Sequence, residues 1–269
     1  MLTIFSKYEP YYDINTNGDN YIIKIWNINN LECLYTFNKI LNLFSACILY
    51  DINGQMNIII DCQNEHLKVF DLNGNIIKNI NIENKSKLSI EYFYDNDLCK
   101  NYIITGNDKV DNITSYDYNE DKIYHTYDNY EDSINCINII KEKDKVLLIY
   151  STKYFTFAIF NFHTAELIKS LSFYNKNEFL TKCICYWDYE YIFIGYYIKI
   201  GRYHHNEKNY YLIKLIDLNK DELSEKEFVI KDLLKTLRKI NHPQKNYLIS
   251  QEENGDIIIF ENILSEDYE

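Results

Sequence analysis

Glycine and proline are scarce in this chain, at 7 and 2 of 269 residues, and arginine occurs only at positions 202 and 238. With so few glycines, neither GxGxxG nor a GxxxxGK-S/T loop exists to bring several backbone amides close to a phosphate. The GxSxG nucleophile elbow is likewise missing. Basic charge is also short: 28 Lys and Arg face 40 Asp and Glu, for a net charge of −12. That balance disfavours a nucleic-acid partner, which needs clustered positive charge, and electrostatic attachment to an anionic membrane surface. No apolar run approaches the roughly 20 residues of a spanning helix. The opening MLTIFSKYEP has neither the basic start nor the long apolar stretch of a secretory signal. Seven cysteines (33, 47, 62, 99, 136, 183, 185) are scattered, odd in number and mostly set in apolar segments. They read as reduced, buried thiols of a cytoplasmic protein, not as a disulfide framework.

The chain is rich in Ile (42), Asn (34) and Tyr (27), a bias toward A/T-rich codons that reflects a genome more than a function. The informative feature is a period. Six segments share one shape, two or three apolar residues in alternation, an aromatic or Ile, then Asp, Asn or Glu: IIKIWNI, HLKVFDL, NITSYDY, TFAIFNF, LIKLIDL and DIIIFEN. Their acidic or amide residues are Asn27, Asp71, Asp117, Asn161, Asp217 and Glu261, at spacings of 44, 46, 44, 56 and 44.

Strand signals recur inside each period. The second holds ACILYD, NIIIDC, LKVF and NIIKNINI; the third LSIEYFY, NYIITG, ITSYDY and KIYHTY; the fourth INCINII, KVLLIY, FAIFNF and ELIKSLS. These β-branched and aromatic runs are separated by clusters of Asn, Asp and Gly, the pattern of strand, turn and strand. Four short strands cannot bury both faces of their own sheet, so the repeats must stack on one another. No segment sustains a helical apolar period; residues 221–239 come closest and could carry a short helical turn.

This pattern resembles the WD-repeat β-propeller. Residues 18–34, GDNYIIKIWNINNLECL, come nearest, with Trp26–Asn27 at the signature dipeptide, and Phe70–Asp71 and Tyr116–Asp117 as close variants. Phe160–Asn161, Asp217 and Phe260 hold the corresponding places in later repeats. The chain departs from the family in lacking its Gly-His dipeptide. It also lacks the turn Asp six residues before the Trp position, where Asn20, Asn64, Val110, Tyr154, Tyr210 and Asn254 stand. The resemblance implies an all-β fold, a divergent propeller of about six four-stranded blades spanning 1–269 as one domain and held by apolar packing between blades. Neither end supplies an obvious spare strand: residues 2–6 and 11–16 are candidates for the first and second strands of the first repeat, and only NILSEDYE follows Glu261. The ring is therefore expected to be incomplete or imperfectly closed, with a three-stranded last blade, a longer ring or a strand from another chain all open.

Candidates for chemistry are few. Cys183 and Cys185 share one face of an alternating strand, but the spacing is not that of zinc pairs, and packing in a core is the simpler reading. Paired carboxylates such as Asp221–Glu222 and Glu252–Glu253 lie in polar turns. Lipid head-group binding of the kind some related propellers perform needs adjacent arginines, and here the two are 36 residues apart. No catalytic, cofactor or metal residue is assigned. The 56-residue spacing places an insertion, IKIGRYHHNEKN, between the strands YIFIGYY and YYLIKLIDL. Its Arg202, Tyr203, His204 and His205 form the candidate interaction loop, since Arg and Tyr are frequent interface anchors; a neutral surface loop or an extended hairpin is the plain alternative. The resemblance implies a non-enzymatic scaffold for other proteins, a subunit or adaptor of a larger complex. A propeller enzyme with a central-channel site, or a truncated paralogue, remain alternatives.

Overall fold

The computed structural model describes residues 2–13, 18–27, 32–41, 43–51, 53–62, 67–82, 87–107, 113–128, 133–142, 144–153, 156–172, 179–187, 191–200, 208–220, 222–230, 234–241, 246–252 and 257–261. The chain divides into two compact units, Met1–Glu131 and Asp132–Glu269. Among the described residues every regular element is a strand, and no helix is long and apolar enough to cross a membrane.

The first unit holds three sheets, each a run of consecutive antiparallel strands. The first sheet is β1 (Leu2–Asp13), β2 (Gly18–Asn27) and β3 (Glu32–Leu41). The second is β4 (Leu43–Tyr50), β5 (Met56–Cys62), β6 (Leu67–Phe70) and β7 (Ile76–Ile80). The third is β8 (Lys87–Asp95), β9 (Lys100–Asn107), β10 (Ile113–Asp117) and β11 (Lys122–Tyr127). The second unit continues with a fourth sheet of β12 (Ile134–Glu142), β13 (Lys145–Thr152), β14 (Thr156–Asn161) and β15 (Leu167–Ser172). The fifth has β16 (Phe179–Tyr186), β17 (Tyr191–Ile200), β18 (Lys208–Asp217) and β19 (Glu222–Ile230). The sixth has β20 (Leu234–Asn241), β21 (Asn246–Glu252) and β22 (Ile257–Glu261).

The repeat is therefore one of antiparallel sheets, but only four of the six carry four strands among the described residues. In the first sheet β1 is a single strand occupying the second-strand place and takes in both 2–6 and 11–13, with 14–16 outside the described residues. Among its described residues the segment 221–239 is strand, β19 and most of β20, with 221 and 231–233 outside them. Its apolar residues serve the sheets: Phe228, Ile230 and Leu237 pack into the cluster between the fifth and sixth sheets.

Why these strands read as unbroken apolar runs is clear from β5. Ile58, Ile59 and Ile60 are all buried, yet side chains alternate across a strand. Ile58 and Ile60 join Ile23, Ile25 and Phe70 against the first sheet, while Ile59 joins Val69, Ile103 and Tyr116 against the third. The fifth sheet is built the same way. Ile192, Ile194 and Ile216 pack on the fourth sheet, and Phe193, Leu215 and Ile213 on the sixth. A sheet buried on both faces needs apolar residues at consecutive positions.

The backbone repeats more faithfully than the sequence. In the second to sixth sheets the first strand carries a register shift at one equivalent place, between Leu43/Ser45, Lys87/Ser89, Ile134/Cys136, Thr181/Cys183 and Leu234/Thr236. A second shift recurs in the last strand opposite the signature aromatic, leaving Leu34, Ile77, Tyr124 and Ile168 as the extra residue in the first four sheets. Such bulges sharpen the twist of an edge strand and spoil it as a template for further pairing.

Candidate functional site

The signature residues close turns. Asp71 Oδ1 accepts hydrogen bonds from the N–H groups of Asn73 at 2.9 Å and Asn75 at 2.8 Å. Asp117 Oδ1 takes those of Asn119 and Glu120 at 3.0 and 2.9 Å. Asn161 Oδ1 does the same for His163 and Thr164 at 3.0 and 3.2 Å. Asp217 Oδ1 receives Asn219 and Lys220 at 2.9 and 3.3 Å. A short side chain bearing an acceptor oxygen is what such a turn requires, which explains why Asp and Asn interchange at these positions. The aromatic partners fill cores: Phe70 packs between the first and second sheets, Tyr116 between the second and third, and Phe260 between the fifth and sixth. Phe160 is buried and stacks on Tyr150. Trp26 and Asn27 end β2, paired through the backbone with Thr3 and Leu2, and their side chains lie outside the described residues.

The hairpins between first and second strands use the same device, which the period did not single out. Asp51 Oδ1 caps Asn53 and Gln55 at 2.8 Å, and Asp95 Oδ1 caps Asp97 at 2.9 Å. The legible signal was the doubled Asp-x-Asn-Gly at 51–54 and 71–74, where Gly54 and Gly74 take φ of 74° and 85°. In the longer turns the left-handed place falls to Cys99, Asp121 and Ala165, at φ 51°, 57° and 56°.

The third sheet concentrates charge at this end. Lys100 Nζ reaches Asp117 Oδ2 at 2.9 Å and also pairs with Glu120, which Lys122 approaches at 2.5 Å. Lys100 and Lys122 hold the Glu120 carboxyl down to about 2. Lys78, from the second sheet, pairs with Asp121 at 2.6 Å, donates to the Tyr118 carbonyl at 3.1 Å and lies 4.4 Å from the Tyr118 ring centre. Its lysine and the Tyr116 hydroxyl keep the Asp121 carboxyl below its ordinary value. In the second unit Lys169 makes the equivalent bond to the Leu218 carbonyl. Each lysine occupies the same register on the outer strand, opposite Val69 and Ile159, and ties one sheet to the turn of the next. In this constellation each cation already has its carboxylate or carbonyl, so it works as a clamp and offers no spare acid or base.

Cys183 and Cys185 are buried in the apolar cluster with Phe193 and Trp187. Burial, with Glu91 nearby, pushes the Cys47 thiol well above its ordinary value, leaving it unreactive at neutral pH. Among the described residues no group of three or more His, Cys, Asp or Glu could hold a metal.

The insertion extends a hairpin. Ile198, Lys199 and Ile200 pair with Tyr210, Asn209 and Lys208, so that β17 and β18, like β1 and β2, run on beyond the point where the second and third strands of the second, third, fourth and sixth sheets end. Ile192 pairs with Ile216, whereas Leu148 pairs with Phe160 and Leu248 with Phe260. Arg202, Tyr203, His204 and His205 fall within 201–207, between β17 and β18 in sequence and outside the described residues. This hairpin projects from the end opposite the Asp- and Asn-capped turns, because it joins second to third strands.

No sequence profile of a known family matches the chain, and no curated protein matches it. Among solved structures it is similar to the computationally designed Ika8 protein, at 12% identity and a TM-score of 0.58, with 93% of this chain and 69% of that chain covered. At that identity the likeness bears on fold alone. It agrees with an all-β chain of repeated antiparallel sheets, consistent with a propeller-like architecture.

Proposed function

We propose that this chain is a non-enzymatic, cytoplasmic platform for binding other proteins, a divergent propeller that resembles the WD-repeat family and serves as a subunit or adaptor of a larger complex. The observation that carries the reading is the β17–β18 hairpin, whose paired stem, like that of β1–β2, outruns the second-to-third-strand hairpins of the second, third, fourth and sixth sheets and carries the connection 201–207. A paired stem on a doubly buried sheet holds a loop at low conformational cost, which suits recognition by a loop on a rigid scaffold. The residues carried there, Arg202, Tyr203, His204 and His205, combine a bidentate cation with flat amphipathic rings, the chemistry of an interface anchor. The capped turns at the other end support the same assignment, since their polar groups are occupied with one another.

The test replaces Arg202, Tyr203, His204 and His205 together by Gly and Ser and compares wild type and variant in affinity capture from the native cell, read by mass spectrometry. The reading requires at least one protein held by the wild type and lost from the variant while the fold, followed by circular dichroism, is retained. Identical capture by both chains refutes it.

A further inference from the structure

In the first unit, the end that carries the Asp-capped turns presents rings that the capping does not use. Tyr50 and Tyr94 are each 41% exposed, and Leu98, in the turn after β8, is 50% exposed. The two tyrosines hold equivalent places in neighbouring sheets. Each follows by two residues the first-strand residue in register with the signature aromatic, Ile48 opposite Ile58 and Tyr92 opposite Ile103. The fourth sheet has Lys141 at that place, two residues after Ile139 opposite Leu148, so the fold does not dictate a ring there. The two sheets meet at Tyr92, whose hydroxyl lies 3.1 Å from the Tyr50 carbonyl oxygen and 2.7 Å from Asn101 Oδ1. Burial, with the Tyr94 and Tyr50 hydroxyls close by, pushes the Tyr92 hydroxyl up to about 12. Around these rings the charge is one-sided. The turns 51–55, 71–75, 95–100 and 117–122 hold seven carboxylates against two lysines, Lys100 and Lys122, which already pair with Asp117 and Glu120. Lys78 shows what such a surface accepts, since its ammonium lies 4.4 Å from the Tyr118 ring centre and 2.6 Å from Asp121. Burial, then Asp51 and Asp121, raise the Tyr118 hydroxyl, which puts carboxylates of two turns beside that ring.

We propose that this end of the first unit docks a basic segment of a partner protein, its arginine or lysine side chains laid on the Tyr50 and Tyr94 rings beside Leu98, with their heads toward the carboxylates of the turns. The contact would repeat with a partner's cation what Lys78 already makes with Tyr118 and Asp121. Arginine suits the surface better than lysine, because its flat guanidinium stacks on a ring and keeps its donors for a carboxylate. An acidic segment would be repelled, and a purely apolar one would strip water from carboxylates without offering them a partner. The chain's net charge of −12 also favours encounter with a basic partner. Every residue invoked lies within Met1–Glu131, so the inference is independent of the β17–β18 hairpin and of the reading built on it.

The test titrates the 269-residue chain into fluorescein-labelled nona-arginine, nona-lysine and nona-glutamate at physiological ionic strength, read by fluorescence anisotropy. Wild type should bind nona-arginine more tightly than nona-lysine and leave nona-glutamate free. Tyr50→Ala combined with Tyr94→Ala should weaken nona-arginine binding about tenfold, with an unchanged circular dichroism spectrum. The corresponding pair of Phe substitutions keeps both rings and should keep the affinity. Ile123→Ala, a control for an exposed apolar residue on β11, should change nothing. A second measurement needs no variant: nona-arginine should slow hydrogen exchange of wild type in the turns 51–55 and 95–100 and leave the β17–β18 stem unchanged. If the alanine pair does not fold, that exchange result decides. The proposal is overturned if nona-arginine does not bind, if nona-lysine or nona-glutamate binds as tightly, or if those two turns exchange no more slowly with the peptide present. Full affinity in the folded alanine pair, or an equal loss in the Phe pair or in Ile123→Ala, overturns it as well.

Discussion

Asp71 and Asp117 occupy equivalent places in neighbouring sheets but carry different burdens. Asp71 caps its turn near the surface, whereas Asp117 is fully buried and satisfies two backbone N–H groups while accepting the Lys100 ammonium. Asp117→Ala strands Lys100 and uncaps the turn, so chemical denaturation should show a loss of about 2 kcal/mol, with Asp71→Ala clearly milder. The left-handed turn positions are also testable. Ala165 at φ 56° carries a Cβ that this conformation disfavours, and Ala165→Gly should raise stability by about 0.5–1 kcal/mol in the same measurement. Charge gives a third expectation. Asp71 is held below its ordinary value by the Asn75 side chain and backbone amides, Glu120 by two lysines, and Asp121 by Lys78. In each case the folded state binds its proton less readily than the unfolded chain, so the stabilisation is whole above the ordinary carboxylate range and is lost as pH falls through the folded values. The melting temperature should hold near neutrality and decline between pH 4.5 and about 2, the span set by Glu120. A melting temperature that rises on acidification over that range would contradict the assignment.

At the scale of the strand, burial decides the cost of substitution. Ile59→Ala empties a site covered on the third-sheet side and should cost about 2–5 kcal/mol, whereas Ile77→Ala, on an exposed bulge, should change stability by no more than about 0.5 kcal/mol. Strand positions were largely readable from the sequence. KVLLIY, FAIFNF and ELIKSLS fall within two residues of the bounds of β13, β14 and β15, because β-branched runs between Asn, Asp and Gly turns leave little choice. In the described parts of 221–239, apolar residues stand at mixed spacing, and only the neighbouring sheets decide that Phe228, Ile230 and Leu237 face a common core. Bulges were invisible, since they depend on register between strands distant in sequence. The Lys78 and Lys169 clamps were hidden for the same reason, as each spans two sheets. The Arg202–His205 insertion was legible from the period alone, though the sequence could not show that half of it lengthens β17 and β18. Replacing residues 201–207 by Asn-Gly should leave the melting temperature within a few degrees of wild type in calorimetry, because the stem pairs already close.

The molecule as a whole depends on sheets that are unstable alone. The second and fifth sheets bury apolar side chains on both faces through their neighbours, so stability is a sum of sheet and interface contributions within each unit. The scaffold reading draws on that arrangement for its rigidity. Hydrogen–deuterium exchange, followed peptide by peptide under native conditions, tests it most directly. Peptides covering Ile58–Ile60, Tyr102–Ile104, Leu148–Tyr150 and Ile192–Ile194 should be the slowest to exchange, and those covering the outer strands β7 and β15 should exchange first. Equal or greater protection in β7 and β15 than in those second strands would contradict a fold held together by stacking from both sides.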